Sequence, residues 1–182
     1  LSADDVALLE QNKFKAQQQH FAPVETQSAL LNLVYGSMQL NKEMVSALQQ
    51  PPAWLEQLPA GSFSLSASDA QYQQLLPWLP LTEQATAAVK IKFSRDLGSE
   101  LAQLGTEHNA IVLSIHATAS QFDLAPAKLY SRWPELHQVL SNTVTQHLDL
   151  IPTLLAQLGC HTNWPGDNWF QPSAYPKLNL LP

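Results

Sequence analysis

Apolar side chains recur at steps of three and four along several stretches of the chain, the spacing that lines one face of an α-helix. Between Val24 and Gln49 the stripe runs through Leu30, Leu33, Val34, Met38, Leu40, Met44 and Leu48, and Pro51-Pro52 stops it. From Thr82 it runs through Val89, Phe93, Leu97, Leu101 and Leu104, with Gly105 placed to close the helix in a left-handed cap. Ser2 with Asp5 three residues on forms a variant capping box ahead of Val6, Leu8, Leu9 and Phe14. Pro134 suits the first position of a last helix that Pro152 would kink and Gly159 would close. The pattern predicts a mainly α fold, an up-and-down bundle of four main helices at about 3–20, 24–49, 82–104 and 134–158, with 106–122 available as a fifth.

A second pattern crosses the third of these helices. Val89-Lys90-Ile91-Lys92-Phe93 alternates as a half-buried strand would, and 110–118 is β-branched enough to partner it. The alternative is therefore an α+β fold with a small two-stranded element at 88–93 and 110–118. Upstream, Pro51, Pro52, Pro59, Gly61, Pro77 and Pro80 permit only short helices such as Ala53 to Leu58 and Ser68 to Leu76, the latter capped by Ser68-Asp69. The connector 50–81 also carries Trp54, Phe63, Tyr72 and Trp78, so it reads as folded chain. Leu-Ala-Gln-Leu-Gly occurs at 101–105 and again at 155–159 without upstream similarity, one helix stop used twice. The tail 160–182 has no helical period and is predicted to run extended over the bundle, making 1–182 a single globular domain.

Composition narrows the partners. Hydrophobic residues make up 45% of the chain but charged ones only 13%, against about 25% in ordinary soluble proteins. The net charge is −6, and Arg95 and Arg132 are the only arginines, so no basic stripe is available to neutralise phosphates and nucleic acid is not an expected partner. No apolar run approaches the ~20 residues of a membrane-spanning helix. A chain that opens on Leu1 suggests an upstream leader, anchor or other segment. The acidic, Gln-rich composition suggests a periplasmic or bacterial envelope location, with the cytoplasm as the alternative. One cysteine, Cys160, excludes an internal disulfide.

Candidate chemistry is sparse. His108 and His116 lie eight apart, and His137, His147 and His161 fall on or after the last predicted helix, but no pair has metal-motif spacing. No metal and no cofactor is expected. No G-x-S-x-G turn and no glycine-rich phosphate loop occurs, and Glu100 and Glu107 flank a helix end as solvated positions. Cys160, just past a helix C-terminus, sits where the dipole disfavours a thiolate, and reads as a small buried hydrophobe. The remaining feature is aromatic: Trp164, Trp169, Phe170 and Tyr175, with Asp167 among them, combine rings and a polar group as sugar- or protein-binding surfaces do. The same rings would equally pin an irregular tail. The sequence thus predicts a non-enzymatic helical binding module, an adaptor, sensor or envelope accessory domain that recognises a protein or small ligand through an aromatic-lined surface. A histidine-dependent hydrolase or metal-dependent enzyme using His108, His116 or His137 as base is one alternative, and a structural subunit of an envelope assembly is another.

Overall fold

The structure is a computed structural model and describes residues 1–37, 46–115, 117, 124–141, 143–160 and 164–171. In chain order its elements are α1 (Ala3–Gln11), β1 (Lys15–Ala16), β2 (His20–Pro23), α2 (Thr26–Tyr35), a 3-10 turn (Ser46–Gln49), α3 (Ala53–Glu56), β3 (Phe63–Ala67), α4 (Ala70–Leu75), β4 (Val89–Phe93), α5 (Leu97–Gln103), β5 (Ala110–Leu113), β6 (Leu124–Pro126), β7 (Leu129–Arg132), α6 (Pro134–Leu140), β8 (Thr145–Gln146), a second 3-10 turn (His147–Asp149) and α7 (Leu150–Gln157).

The fold is mixed α/β, and the all-α helical bundle is corrected throughout its length. Helix 3–20 stops at α1, because Lys13 takes a positive φ of 64° and turns the chain into β1 and β2. The capping box at its start is present, with Ser2 Oγ accepting from Asp5 N–H at 3.1 Å and Ser2 N–H donating to Asp5 Oδ2 at 2.7 Å. Helix 24–49 ends as α2 at Gly36, whose φ of 65° caps it; its continuation at 38–45 lies outside the described residues. Helix 82–104 is replaced by β4, where the two-residue alternation wins, followed by the shorter α5. Helix 134–158 divides into α6, β8 and α7. Pro134 does open α6. Pro152 falls in the first turn of α7, where an amide needs no intrahelical partner, and not in mid-helix. The alternative pairing is also corrected: β4 and β5 are both strands, but β4 pairs with β3 and β5 with β7.

The chain forms two compact units, Leu1–Met38 with Gly98–Pro182, and Gln39–Leu97. The first holds two three-stranded sheets in the orders β1-β7-β5 and β6-β2-β8. Every pair is antiparallel except β2 with β8. Seven consecutive buried residues, Ser28 to Val34, show α2 buried nearly all round, inside the unit. Leu30, Leu31, Leu33, Ile151, Leu155 and Trp169 share its core. Two glycines let segment 164–170 lie close. A Cβ on Gly36 would come within 2.9 Å of the Trp164 ring, and one on Gly166 would overlap the Leu148 carbonyl.

The second unit centres on the parallel pair β3–β4, in register from Phe63 opposite Val89 to Ala67 opposite Phe93. Asp69 caps the intervening α4 by accepting from Gln71 N–H at 2.9 Å. Trp54 packs edge-on against Phe63, and Tyr72 tilts against Phe93. Val89 N–H donates to Ser62 O at 3.2 Å and Ser68 N–H to Phe93 O at 2.9 Å. In a parallel pair alternate residues bond the same neighbour, so the even-numbered residues of β3 bond β4 and the odd-numbered ones turn their amides the other way. Ala67 accordingly donates to Pro80 O at 3.0 Å.

The glycine contacts make a test. Gly166→Ala is expected to lower the unfolding free energy by about 1–3 kcal/mol, because backbone must move to admit the methyl. Gly159→Ala, with φ of 71° but open space around it, should cost about 1 kcal/mol from backbone strain alone. Urea unfolding of both variants measures the difference.

Candidate functional site

Two places collect chemistry, one in each unit. In the first, β2 and β8 bring His20 and His147 together although they stand 127 residues apart. His20 Nε2 lies 2.9 Å from His147 Nδ1, His20 Nδ1 lies 2.9 Å from Thr145 Oγ1, and His147 Nε2 donates to Ile115 O at 2.7 Å. The Ile115 carbonyl can only accept, which fixes the proton on His147 Nε2 and leaves two orders for the rest. With both rings neutral, Thr145 donates to His20 and His20 to His147. With one proton added the direction reverses, and Thr145 Oγ1 can then donate to Gln19 O, 3.4 Å away. Two added protons would set N–H against N–H. Burial, and next the neighbouring His147, push the His20 pKa well below the ordinary imidazole value, so His20 is the neutral member. The rings are 1% and 0% exposed, which leaves a solvent-borne substrate no approach to either.

Beside them Asp149 is a buried carboxylate with three donors: Gln146 N–H and Trp169 Nε1 on Oδ2 at 2.9 and 3.2 Å, and Asp167 N–H on Oδ1 at 2.9 Å. Desolvation outweighs these bonds and raises its pKa to about 6. Thr153 Oγ1 donates to Asp149 O at 2.7 Å and accepts from Trp169 N–H at 2.8 Å.

These contacts locate the residues singled out in the sequence. Trp164, Asp167 and Trp169 converge on the turn before α7: Trp164 Nε1 donates to Leu148 O at 2.7 Å, and Trp169 is 1% exposed with its ring edge-on to His20. Phe170 points elsewhere, its ring 5.1 Å from that of half-buried Trp133. Tyr175, His116 and His161 lie outside the described residues. His108 is exposed, with Nδ1 3.2 Å from Glu107 Oε1. His137 Nε2 donates to Ser131 O at 3.1 Å, and burial lowers its pKa, with Lys15 adding to the effect. Among the described residues no group of three His, Cys, Asp or Glu side chains is arranged to hold a metal ion. No helix among them is long and apolar enough to cross a membrane. His20, Thr145 and Asp149 carried no sequence signal, because their association is a matter of which strands pair.

The second place is a cleft of about 340 Å³ in the Gln39–Leu97 unit, walled by Leu55 of α3 and Leu58, the turn at Pro59–Gly61, the start of β3, Trp78, and Pro80, Thr82 and Gln84. Its apolar walls include Leu55, Leu58, Phe63 and Trp78, and its polar groups are Ser64, Thr82 and Gln84. Trp78 Nε1 donates to Leu48 O at 3.1 Å, which commits the indole N–H internally and fixes the ring as wall. Ser64 Oγ accepts from Gln84 N–H at 3.0 Å, tying segment 80–84 to β3.

Comparison with protein families, curated proteins and solved structures found no match to this chain.

Asp149 makes the first unit's stability depend on pH in a stated direction. A folded-state pKa raised from 3.8 to about 6 contributes stability that is complete below 3.8 and lost as pH rises through 6. His20, with a lowered pKa, acts oppositely: its contribution is complete above 6.5 and lost as pH falls. Asp149→Asn leaves one donor facing an amide NH2 and should cost about 1–3 kcal/mol near pH 5. It also removes the ionisation, so the deficit should shrink by about 1.4 kcal/mol as pH rises from about 5 to 7.5. Denaturant titrations at the two pH values read this; a deficit that grows with pH would refute the assignment.

Proposed function

We propose that the protein is a non-enzymatic binding module whose recognition surface is the cleft of the Gln39–Leu97 unit, and that its ligand is uncharged and largely apolar. The lining supports this most directly: among the described residues that wall the cleft there is no Asp, Glu, Lys, Arg or His side chain. A charged ligand would shed its hydration there without a counter-charge, whereas an apolar one would gain by leaving water. The volume falls at the lower end of small-ligand sites, which run about 300–1,000 Å³. Trp78 and Phe63 supply the aromatic surface, and Ser64, Thr82 and Gln84 supply the few polar groups that orient a ligand.

The reactive groups of the other unit favour the same reading. His20, His147 and Asp149 are buried and hydrogen-bonded to one another's surroundings, an arrangement that stabilises a fold.

The test is a fluorescence titration with the neutral probe N-phenyl-1-naphthylamine. Leu55 lines the cleft and is only half-buried, so Leu55→Asp can keep its carboxylate solvated in the free protein. Loss of apolar contact and gain of charge should weaken binding by at least about tenfold, while the melting temperature moves by no more than a few degrees. Unchanged affinity in the variant would remove the cleft as the site.

A further inference from the structure

The cleft opens onto an unpaired strand edge. β3 bonds β4 through its even-numbered residues, so the amides and carbonyls of Phe63 and Leu65 point to the opposite side. At Ala67 that side is occupied by Pro80 O, but Phe63 and Leu65 have no hydrogen-bond partner there among the described residues. Both residues line the cleft, and both are at least nine-tenths buried, 7% and 4% exposed. Buried backbone groups are paired in more than about 90% of cases, so two open residues in succession along one edge, facing a cavity, are a vacancy with a defined shape.

That shape is one an extended chain fills. We propose, resting on the reading of the cleft given above, that its ligand is a short extended peptide segment of uncharged residues, which adds to β3 as a further strand and bonds Phe63 and Leu65 through its backbone. A strand rises about 3.3 Å per residue and presents its amides alternately to each side, so a segment of about three to five residues matches the open stretch. The cleft supplies what such a segment requires on its flanks, apolar surface from Leu55, Leu58 and Trp78 and, among the described residues, no charge. β4 carries the opposite character: Lys90 and Lys92 lie along it, the residue type by which natural sheets discourage strand addition. The two strands are thus unequal, and addition is directed to β3.

The experiment compares three blocked pentapeptides, each acetyl-Val-Thr-Val-Thr-Val-amide, one unmodified and two N-methylated on alternate sets of amides, with the neutral probe N-phenyl-1-naphthylamine as a fourth ligand. Strand addition places one set of peptide amides on β3 and the other on solvent. One methylated form should therefore bind at least about tenfold more weakly than the unmodified peptide, while the other binds within about twofold of it. Amide hydrogen exchange should slow at Leu65 by about tenfold or more when the unmodified peptide is bound, and stay unchanged at Ser64 and Ser66, already bonded to β4. If the probe binds and the peptide does not, strand addition fails and the apolar cleft stands. If neither binds, both fail. Binding of all three peptides with equal affinity, with no change at Leu65, places a peptide in the cleft without strand pairing and overturns the proposal.

Discussion

Asp149 cannot leave water without partners, and the donors it recruits organise much of the larger unit. Gln146 N–H closes the 3-10 turn onto the carboxylate, Asp167 N–H brings back a segment eighteen residues downstream, and Trp169 Nε1 carries an indole ring of that segment into the core. Once Trp169 is there, its edge abuts His20, and His20 is held by Thr145 on the neighbouring strand and by His147 in the turn that follows it. Each link is a polar group that burial would penalise by roughly 1–3 kcal/mol if left unmet, so the group is stable as a set and expensive to break singly. Gly36 and Gly166 are the steric condition for it, since side chains there would hold segment 164–170 off the body.

The smaller unit shows the same requirement met only in part. β3 is buried along its whole length, satisfied by β4 on one side and by Pro80 at one point on the other. What separates the two units physically is where the unmet hydrogen-bonding capacity lies. In the larger one His20, His147 and the buried carboxylate turn it inward, and in the smaller one backbone groups lie beside a cavity whose described lining is uncharged. That difference is what favours the proposed recognition role over a chemical role for His20 and His147, which solvent does not reach.

Local signals in the sequence were legible where the cause is local. The Ser2–Asp5 box, Pro134 at a first helical position, the Asp69 cap and the alternation of Val89 to Phe93 all appear in the structure, because each depends on residues within one or two turns of one another. The repeated Leu-Ala-Gln-Leu-Gly shows the limit of such signals. Gly159 adopts a left-handed φ of 71° after the second copy, whereas Gly105, after the first, has no positive φ. The long helices failed because three- and four-residue apolar spacing also arises when short strands and turns each contribute a buried residue or two. Strands of two to five residues, such as β1, β2 and β8, are too short to show a period of their own, and only their partners define them.

The sequence by itself determined the composition of surfaces and the local starts and stops: an acidic chain without a basic stripe, capped short helices, and a proline-punctuated connector too aromatic to be idle. Tertiary structure alone decided which strands pair, that His20 meets His147 across 127 residues, that Trp169 turns inward while Phe170 turns toward Trp133, and that Phe63 and Leu65 of β3 have no hydrogen-bond partner among the described residues on the side away from β4. The reason is that every residue but proline carries the same backbone donor and acceptor. Which of them are satisfied, and by whom, is settled by packing at long range and leaves no mark in residue type.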